Sequence, residues 1–276
     1  MLRAVTAHQF LKRMGTGKTK PCLIRCETIG LPHDEVEEDS IPARTDEELI
    51  VKFSDGCEAK HQGLVAEALA AMLAADLDLP VPEPFLVQIE PEFTASIPDP
   101  EIRTLAQKSV PWAFGSRKLP AQYAAVMANI PLPQSLIPTA VEIVAFDVLI
   151  ANPDRRAKNP NCLSNSRELA IYDHELAFQT EGVIGWRPPW EENGVFFPGG
   201  DFRHVFLDMA RGSALDFSRL LGALEAISPA RVIEYRQALP EAWGPESVPT
   251  DRMIAYIEAL RVNASAAIMN ISAALR

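Results

Sequence analysis

Residues 134–151, QSLIPTAVEIVAFDVLIA, are apolar on nearly every side. A stretch with no polar face has nothing to offer water, so it predicts a helix buried in a core. The helix must end at Asn152-Pro153, because the residue before a proline is pushed out of helical conformation. The polar loop Asn152-Pro153-Asp154-Arg155-Arg156-Ala157-Lys158-Asn159-Pro160-Asn161 follows at once, and Asp173 closes the apolar strand ELAIYD twelve residues after Asn161. A loop crowded with Asp and Asn between packed elements is where function concentrates. The rest of the chain has to build a core around this helix and this loop.

The segments PCLIRCE (21–27), ELIVKF (48–53) and PFLVQIE (84–90) are short and rich in Val, Ile and Leu, and predict strands. A further short strand is expected near 161–164. Residues 60–77 repeat apolar side chains at helical spacing, with Leu64, Val65, Leu69, Met72, Leu73 and Leu77 on the helix, and Pro80, Pro82 and Pro84 end it. Helices are also predicted at 120–129 and, beyond residue 200, near 201–210, 215–226, 229–239 and 250–274. Strands with one helix come first and mostly helices afterwards, which predicts an α+β chain. The expected organisation is bilobal: a small sheet-rich N-lobe over 1–90 and a larger, mainly helical C-lobe over 91–276, with the boundary near 88–93. A cleft between such lobes is a common place for a ligand.

Charge narrows the function. Lys and Arg total 26 against 37 Asp and Glu, a net charge of −11. An acidic chain repels nucleic acid and anionic lipid, so neither is expected as a direct partner. Nine of the acids fall within 27–48 beside a single base, Arg44, and that run reads as a solvated loop. The four cysteines form no CxxC pair, so buried thiols are expected in place of a zinc site. No apolar leader opens the sequence and no run approaches membrane-spanning length. The expected setting is soluble and cytoplasmic.

Phosphoryl transfer needs a particular set of groups. One carboxylate orients the attacking hydroxyl and takes its proton, an Asn and a second Asp hold Mg²⁺ through hard oxygens, a Lys neutralises phosphate charge, and a Glu positions that Lys. Asp154 fits the first role, Asn159 and Asp173 the second, Lys52 on its strand the third and Glu67 on the following helix the fourth. Singly, each has an ordinary structural role open to it. Together, in the order Lys, Glu, Asp, Asn, Asp and each on the expected kind of element, they follow the protein-kinase pattern.

The segments FDVLIANPDRRAKNPNCL and LAIYDHELAF resemble the catalytic and metal-binding motifs of the HipA-like kinases. LIVKFSDG resembles that family's lysine strand, and VAEALAAMLAADLDLPVPEP its glutamate helix. The likeness runs from about residue 13 to 180. It implies a protein-kinase-like fold and a Ser/Thr kinase using ATP and Mg²⁺. Asp154 would be the base, Asn159 and Asp173 the metal ligands with Asn161 a spare oxygen, Lys52 on the ATP phosphates, and Glu67 its partner. A protein substrate is expected, and a regulatory protein partner is possible. The departures are Asn-Pro-Asp where ordinary kinases carry His-Arg-Asp, and Asp173-His174-Glu175 where they carry Asp-Phe-Gly. The family's full-length members carry an extra N-terminal subdomain, so this chain resembles a compact single-module branch. A nucleotide-binding module without activity and a small-molecule kinase of the same fold are the competing readings.

Gly15-Thr16-Gly17-Lys18 resembles part of a P-loop, but Lys12 stands where the first glycine is required and a strand follows where a helix should. The expectation is a glycine-containing turn between two strands, with backbone N–H groups of Gly15, Thr16, Gly17 and Lys18 over the nucleotide phosphates; a plain basic hairpin is the alternative. Arg155 and Lys158 either counter phosphate charge or are solvated. The aromatic and proline-rich stretch 182–200 either packs on the C-lobe or meets a partner.

Overall fold

A computed structural model describes residues 2–15, 17–28, 46–128 and 130–276. Thr16 and most of the acidic run lie outside the described residues. The chain groups into two compact units that are not separated by a single cut near residue 90. The first comprises 1–64, 83–118 and 240–244, and the second 65–82, 119–239 and 245–276.

The first unit is a closed barrel of five strands: β1 (Arg3–Arg13), β2 (Cys22–Thr28), β3 (Asp46–Lys52), β4 (Pro84–Gln88) and β5 (Trp112–Arg117), ordered β1-β2-β3-β5-β4. Parallel pairing of β1 with β4 closes it, and the other pairs are antiparallel. Closure satisfies every strand edge. Alternation fills the interior with Val5, Cys22, Ile24, Cys26, Leu49, Val51, Phe85 and Val87. Two short helices, α2 (Pro91–Ser96) and α3 (Pro100–Lys108), add Phe93, Ile97, Ile102 and Leu105 to the same core. The proline-rich stretch 91–120 therefore holds ordered elements that its composition conceals. Gly115 explains how β5 fits: a Cβ there would come within 2.7 Å of Val87 Cγ2 and 3.2 Å of Leu49 Cδ1.

The second unit is built on the buried helix α4 (Ile137–Leu149) and on most of α1 (His61–Asp76). In α1 every residue from Leu64 to Ala74 is buried, so the helix is apolar all round apart from Glu67. The unit also holds α5 (Leu207–Arg211), α6 (Ser218–Ala226), α7 (Pro229–Gln237), α8 (Val248–Val262) and α9 (Ala264–Leu275), of which α6 and α7 hold the C-terminal end of α1. Arg231 Nε and Nη2 of α7 donate to Asp76 at 2.6 and 2.9 Å, Tyr235 Oη donates to it at 2.6 Å, and Arg219 of α6 donates to the Leu77 carbonyl at 2.8 Å. Cations placed on the last carbonyls of a helix offset its dipole. A small sheet completes the unit, in the order β6 (Ala124–Ala125), β7 (Cys162–Ser164) and β8 (Leu169–Ile171).

Three expected helices need correction, and the one near 201–210 is a single 3-10 turn at Gly200–Phe202 followed by the short α5. Residues 120–129 hold a turn and β6, because Pro120, Pro131 and Pro133 leave too short a run to nucleate a helix. The expected helix over 250–274 is two, broken at Asn263, whose side chain donates to the Ala259 carbonyl at 2.8 Å. No helix among the described residues is long and apolar enough to cross a membrane.

Replacing Gly115 by Val should overpack the barrel. The expected loss is about 1–3 kcal/mol in urea unfolding, and an unchanged midpoint would show that the strands part freely at this position.

Candidate active site

The loop that follows α4 is shaped by its own side chains. Asn152 Oδ1 accepts from the Asp154 N–H at 3.2 Å, and Asn152 Nδ2 donates to Asp147 at 2.8 Å. Arg156 and Asn159 pair their backbones in both directions at 2.9 and 3.0 Å, making a tight hairpin of the loop's tip. The hairpin turns Asn159 Nδ2 onto Asp154 Oδ2 at 2.7 Å, and Asn161 Nδ2 reaches the same oxygen at 3.1 Å. Arg156 Nη2 stands 3.2 Å from Asp154 Oδ1. Asp154 is thus held on three sides, with its carboxylate only partly covered.

The electrostatics of Asp154 differ from those of an ordinary surface carboxylate. Burial pushes its pKa up, and the nearby charge of Asp173 pushes it further, while Arg156 and the two Asn amides pull the other way. The net shift is upward, the direction that suits a proton acceptor working near neutrality. Asp173 adopts a left-handed backbone at φ 63°, as do Asn161 at 42° and Ala151 at 51°. Asp and Asn tolerate this region better than most residues. Strain of this kind clusters where a fold fixes functional groups.

Beneath the loop lies a buried network that the sequence does not announce. Arg155, read above as a phosphate counter-charge or a solvated residue, is neither, because its side chain is fully buried. Its Nε donates to Asp147 Oδ2 at 2.6 Å and its Nη2 to Oδ1 at 3.2 Å. Its Nη1 donates to the carbonyls of Asn161 and Tyr172, the latter at 3.4 Å. Its Nη2 also faces His174 Nε2 at 2.9 Å. A guanidinium cannot accept, so that imidazole nitrogen accepts and the ring proton sits on Nδ1. The backbone N–H of His174 donates to Glu67 Oε2 at 2.9 Å. His204 closes the far end by donating from Nε2 to Asp147 Oδ2 at 2.9 Å. Burial works to raise the Asp147 pKa, but Arg155 and His204 outweigh it and hold the carboxyl well below the usual range.

Two residues here were missed in the sequence. Asp147 carried a signal, being an acid within a helix that is otherwise apolar, and such a group must be paired. His204 carried none. Lys158, by contrast, is exposed and pairs with Asp201 at 2.7 Å.

The donor set fits a hard cation. Asn159 spends its amide nitrogen on Asp154, so a cation held here would take its side-chain carbonyl oxygen, and Asp173 would offer a carboxylate. Among the described residues no group of three or more His, Cys, Asp or Glu is arranged to hold a metal. Mg²⁺ does not need one, since it commonly takes one or two carboxylates, with water and substrate phosphates filling the rest of its shell.

In the first unit, Lys52 ends β3 and is buried. The connection from β1 to β2 holds Gly15, Gly17 and Lys18 in a hairpin turn, closed by the Met14 N–H on the Pro21 carbonyl at 2.8 Å. No helix follows it, which excludes a P-loop. Glu101 of α3 pins the base of the turn by pairing with Arg13 at 2.6 Å and with Lys20. Gly56 lies so close that a Cβ would come within 2.5 Å of the Thr19 carbonyl oxygen. In the second unit a cavity of about 420 Å³, bordered by Leu79, Pro82, Tyr123, Thr139, Glu168 and Ala170, has none of the predicted site residues in its wall.

The fold is similar to the crystal structure of a Helicobacter pylori proinflammatory kinase CtkA, with a TM-score of 0.53 and 14% identity over 100% of both chains. A family model described as HipA-like kinase matches residues 43–254. That span is well over half of the sequence, and the chain belongs to the HipA-like kinase family. No curated protein matches it.

Two predictions follow from the charges. Asp147→Asn leaves Arg155 buried beside a neutral partner and should cost about 3–5 kcal/mol in urea unfolding near neutral pH. The depressed carboxyl of folded Asp147 refuses a proton that the unfolded chain takes up near pH ~3.9. Its stabilisation is therefore complete above that pH and is lost as pH falls below it; the Asn variant should show a shallower acid dependence between about pH 4 and 2. Asp154 is the opposite case, because its raised pKa means that the folded state disfavours its charge. Asp154→Asn should melt at or above the wild-type temperature at pH 7, and a lower melting point would contradict the charge analysis.

Proposed function

We propose that this chain is an ATP- and Mg²⁺-dependent phosphotransferase, a HipA-like Ser/Thr protein kinase that moves the γ-phosphoryl of ATP to a hydroxyl. The reading rests on Asp154, a carboxylate oriented by two Asn amides beside a second carboxylate, with its pKa raised. Asp154 accepts a hydrogen bond from the acceptor hydroxyl and takes its proton as transfer proceeds. When bound, Mg²⁺ offsets charge on the phosphate oxygens, and Asn159 and Asp173 are the residues that hold it. In this reading Lys52 is assigned to neutralising phosphate charge and Glu67 to positioning that lysine. The N–H groups of Gly15, Gly17 and Lys18 are assigned to the same phosphates, and Gly56 is small so that the Thr19 carbonyl can sit where it does. The bilobal arrangement belongs to the same proposal.

A polypeptide acceptor is favoured by the rim of the loop. Phe202 is largely exposed and lies against Arg156, whose guanidinium carbon stands 4.8 Å from the ring centroid. Arg156 in turn touches Asp154, so an apolar side chain next to the accepting hydroxyl has a surface to rest on. The middle of the 182–200 segment is anchored, with Trp186 and Trp190 packed on Tyr256 at centroid distances of 5.9 and 5.2 Å.

Incubation with Mg-ATP followed by intact mass measurement tests this reading. Addition of about 80 Da to the chain or to an added protein is the expected result. Asp154→Ala should lower that rate by about 10²–10⁴-fold, and Asn159→Ala or Asp173→Ala by about 10²–10³-fold. Nucleotide binding with no transfer to any acceptor would favour a non-catalytic module. Turnover that requires a metabolite and no protein would favour a small-molecule kinase.

A further inference from the structure

We infer that His204 is a positioning residue, which through Asp147 and Arg155 sets the placement of both Asp154 and Asp173. The inference rests on the phosphotransfer reading above and extends it to a side chain 31 positions beyond Asp173.

The chain of contacts is continuous and buried. His204 Nδ1 accepts from the Phe206 N–H at 3.1 Å, which fixes the ring and leaves Nε2 as the donor to Asp147 Oδ2 at 2.9 Å. Asp147 then has two donors on each oxygen: Arg155 and His204 on Oδ2, Arg155 and Asn152 on Oδ1. A doubly satisfied carboxylate has one orientation, and the Arg155 guanidinium inherits it. That guanidinium holds the Tyr172 carbonyl, in the peptide bond that leads into Asp173, and the carbonyl of Asn161, whose side-chain amide holds Asp154. The backbone repeats the connection, since the Val205 N–H donates to the Arg155 carbonyl at 3.1 Å and Arg156 bridges to His204. His204 touches neither acid directly. It acts by fixing the groups that fix them, and a small displacement of reacting groups is costly.

The same contacts give the 204–206 segment a reason to be ordered beside the loop. The side chain of His204 is only 12% exposed, although the loop just before it presents Phe196 at 79% and Phe202 at 59%. The stretch 196–202 therefore ends on a largely buried anchor, and that anchor is part of the network beneath Asp154.

The experiment compares wild type with His204→Ala and His204→Gln in Mg-ATP turnover, thermal melting and hydrogen exchange. Glutamine keeps an N–H that reaches Asp147, and alanine does not. His204→Ala should lower kcat by about 10- to 100-fold while the KM for ATP stays within about twofold. Exchange should quicken in peptides covering 153–161 and 171–175. His204→Gln should recover most of both. An unchanged kcat in His204→Ala, or exchange no faster than wild type, overturns the proposal. So does a loss of kcat that glutamine fails to recover, or one matched by the fraction of unfolded protein at the assay temperature. A wild type that transfers no phosphoryl group defeats the phosphotransfer reading and the catalytic part of this one together. The exchange data then decide separately whether His204 braces the loop.

Discussion

The buried ion pair of Asp147 with Arg155 is the contact on which the site depends. Removing two charges from water costs several kcal/mol per ion, and attraction alone rarely repays it. Repayment requires that the remaining lone pairs and protons find partners, and here they do. Both Asp147 oxygens are doubly satisfied, and Arg155 meets two backbone carbonyls and an imidazole besides. A hydrophobic pair of the same volume would hold α4 against the loop as well or better. It would not specify where the Asn161 and Tyr172 carbonyls lie. The network is therefore better understood as a device for geometry than as a source of stability.

That distinction accounts for the strained backbone around it. Ala151, Asn161 and Asp173 all have positive φ, and they stand at the end of α4, the end of the loop and the end of β8. Such conformations cost of order 1–3 kcal/mol each and persist only where the surroundings over-determine them. Asn161 is caught by Arg155 through its carbonyl and by Asp154 through its side chain. The His174 N–H, next to Asp173, is caught by Glu67. Two of these three joints, at Asn161 and beside Asp173, are gripped by side chains.

Much of this was legible in the residues because local signals and tertiary demands agreed. The helix 60–77, the strands at 21–27, 48–53 and 84–90, and the abrupt stop at Asn152-Pro153 all appear within a few residues of where their patterns place them. Failures occurred where the signal was non-local. The segment 120–129 has helical spacing, but its two paired residues answer to Leu163 and Ser164 on another strand. β1 and β5 are hard to see because barrel closure, not local composition, makes them strands. In the site, Asp154 and Asn159 stood out by type and spacing. Arg155 misled because basic residues in polar loops are usually solvated, and only the unsatisfied acid seven positions before Asp154 hinted that one of them must turn inward. His204 was invisible, since a lone His far along the chain has no pattern to betray a buried partner.

Asp154 shows why such a network has to be rigid. Its carboxylate is placed beside Asp173, half out of water, where its own charge is disfavoured. Left to relax, the loop would swing the acid toward solvent and recover that energy. The amides of Asn159 and Asn161 oppose this by holding one oxygen, but both sit on the loop and would move with it. Resistance has to come from beneath, from groups anchored in α4, α1 and the 204–206 segment. A carboxylate whose charge is disfavoured by burial and by a like charge is stored electrostatic work, and the pairing of Arg155 opposes the loop movement that would release it.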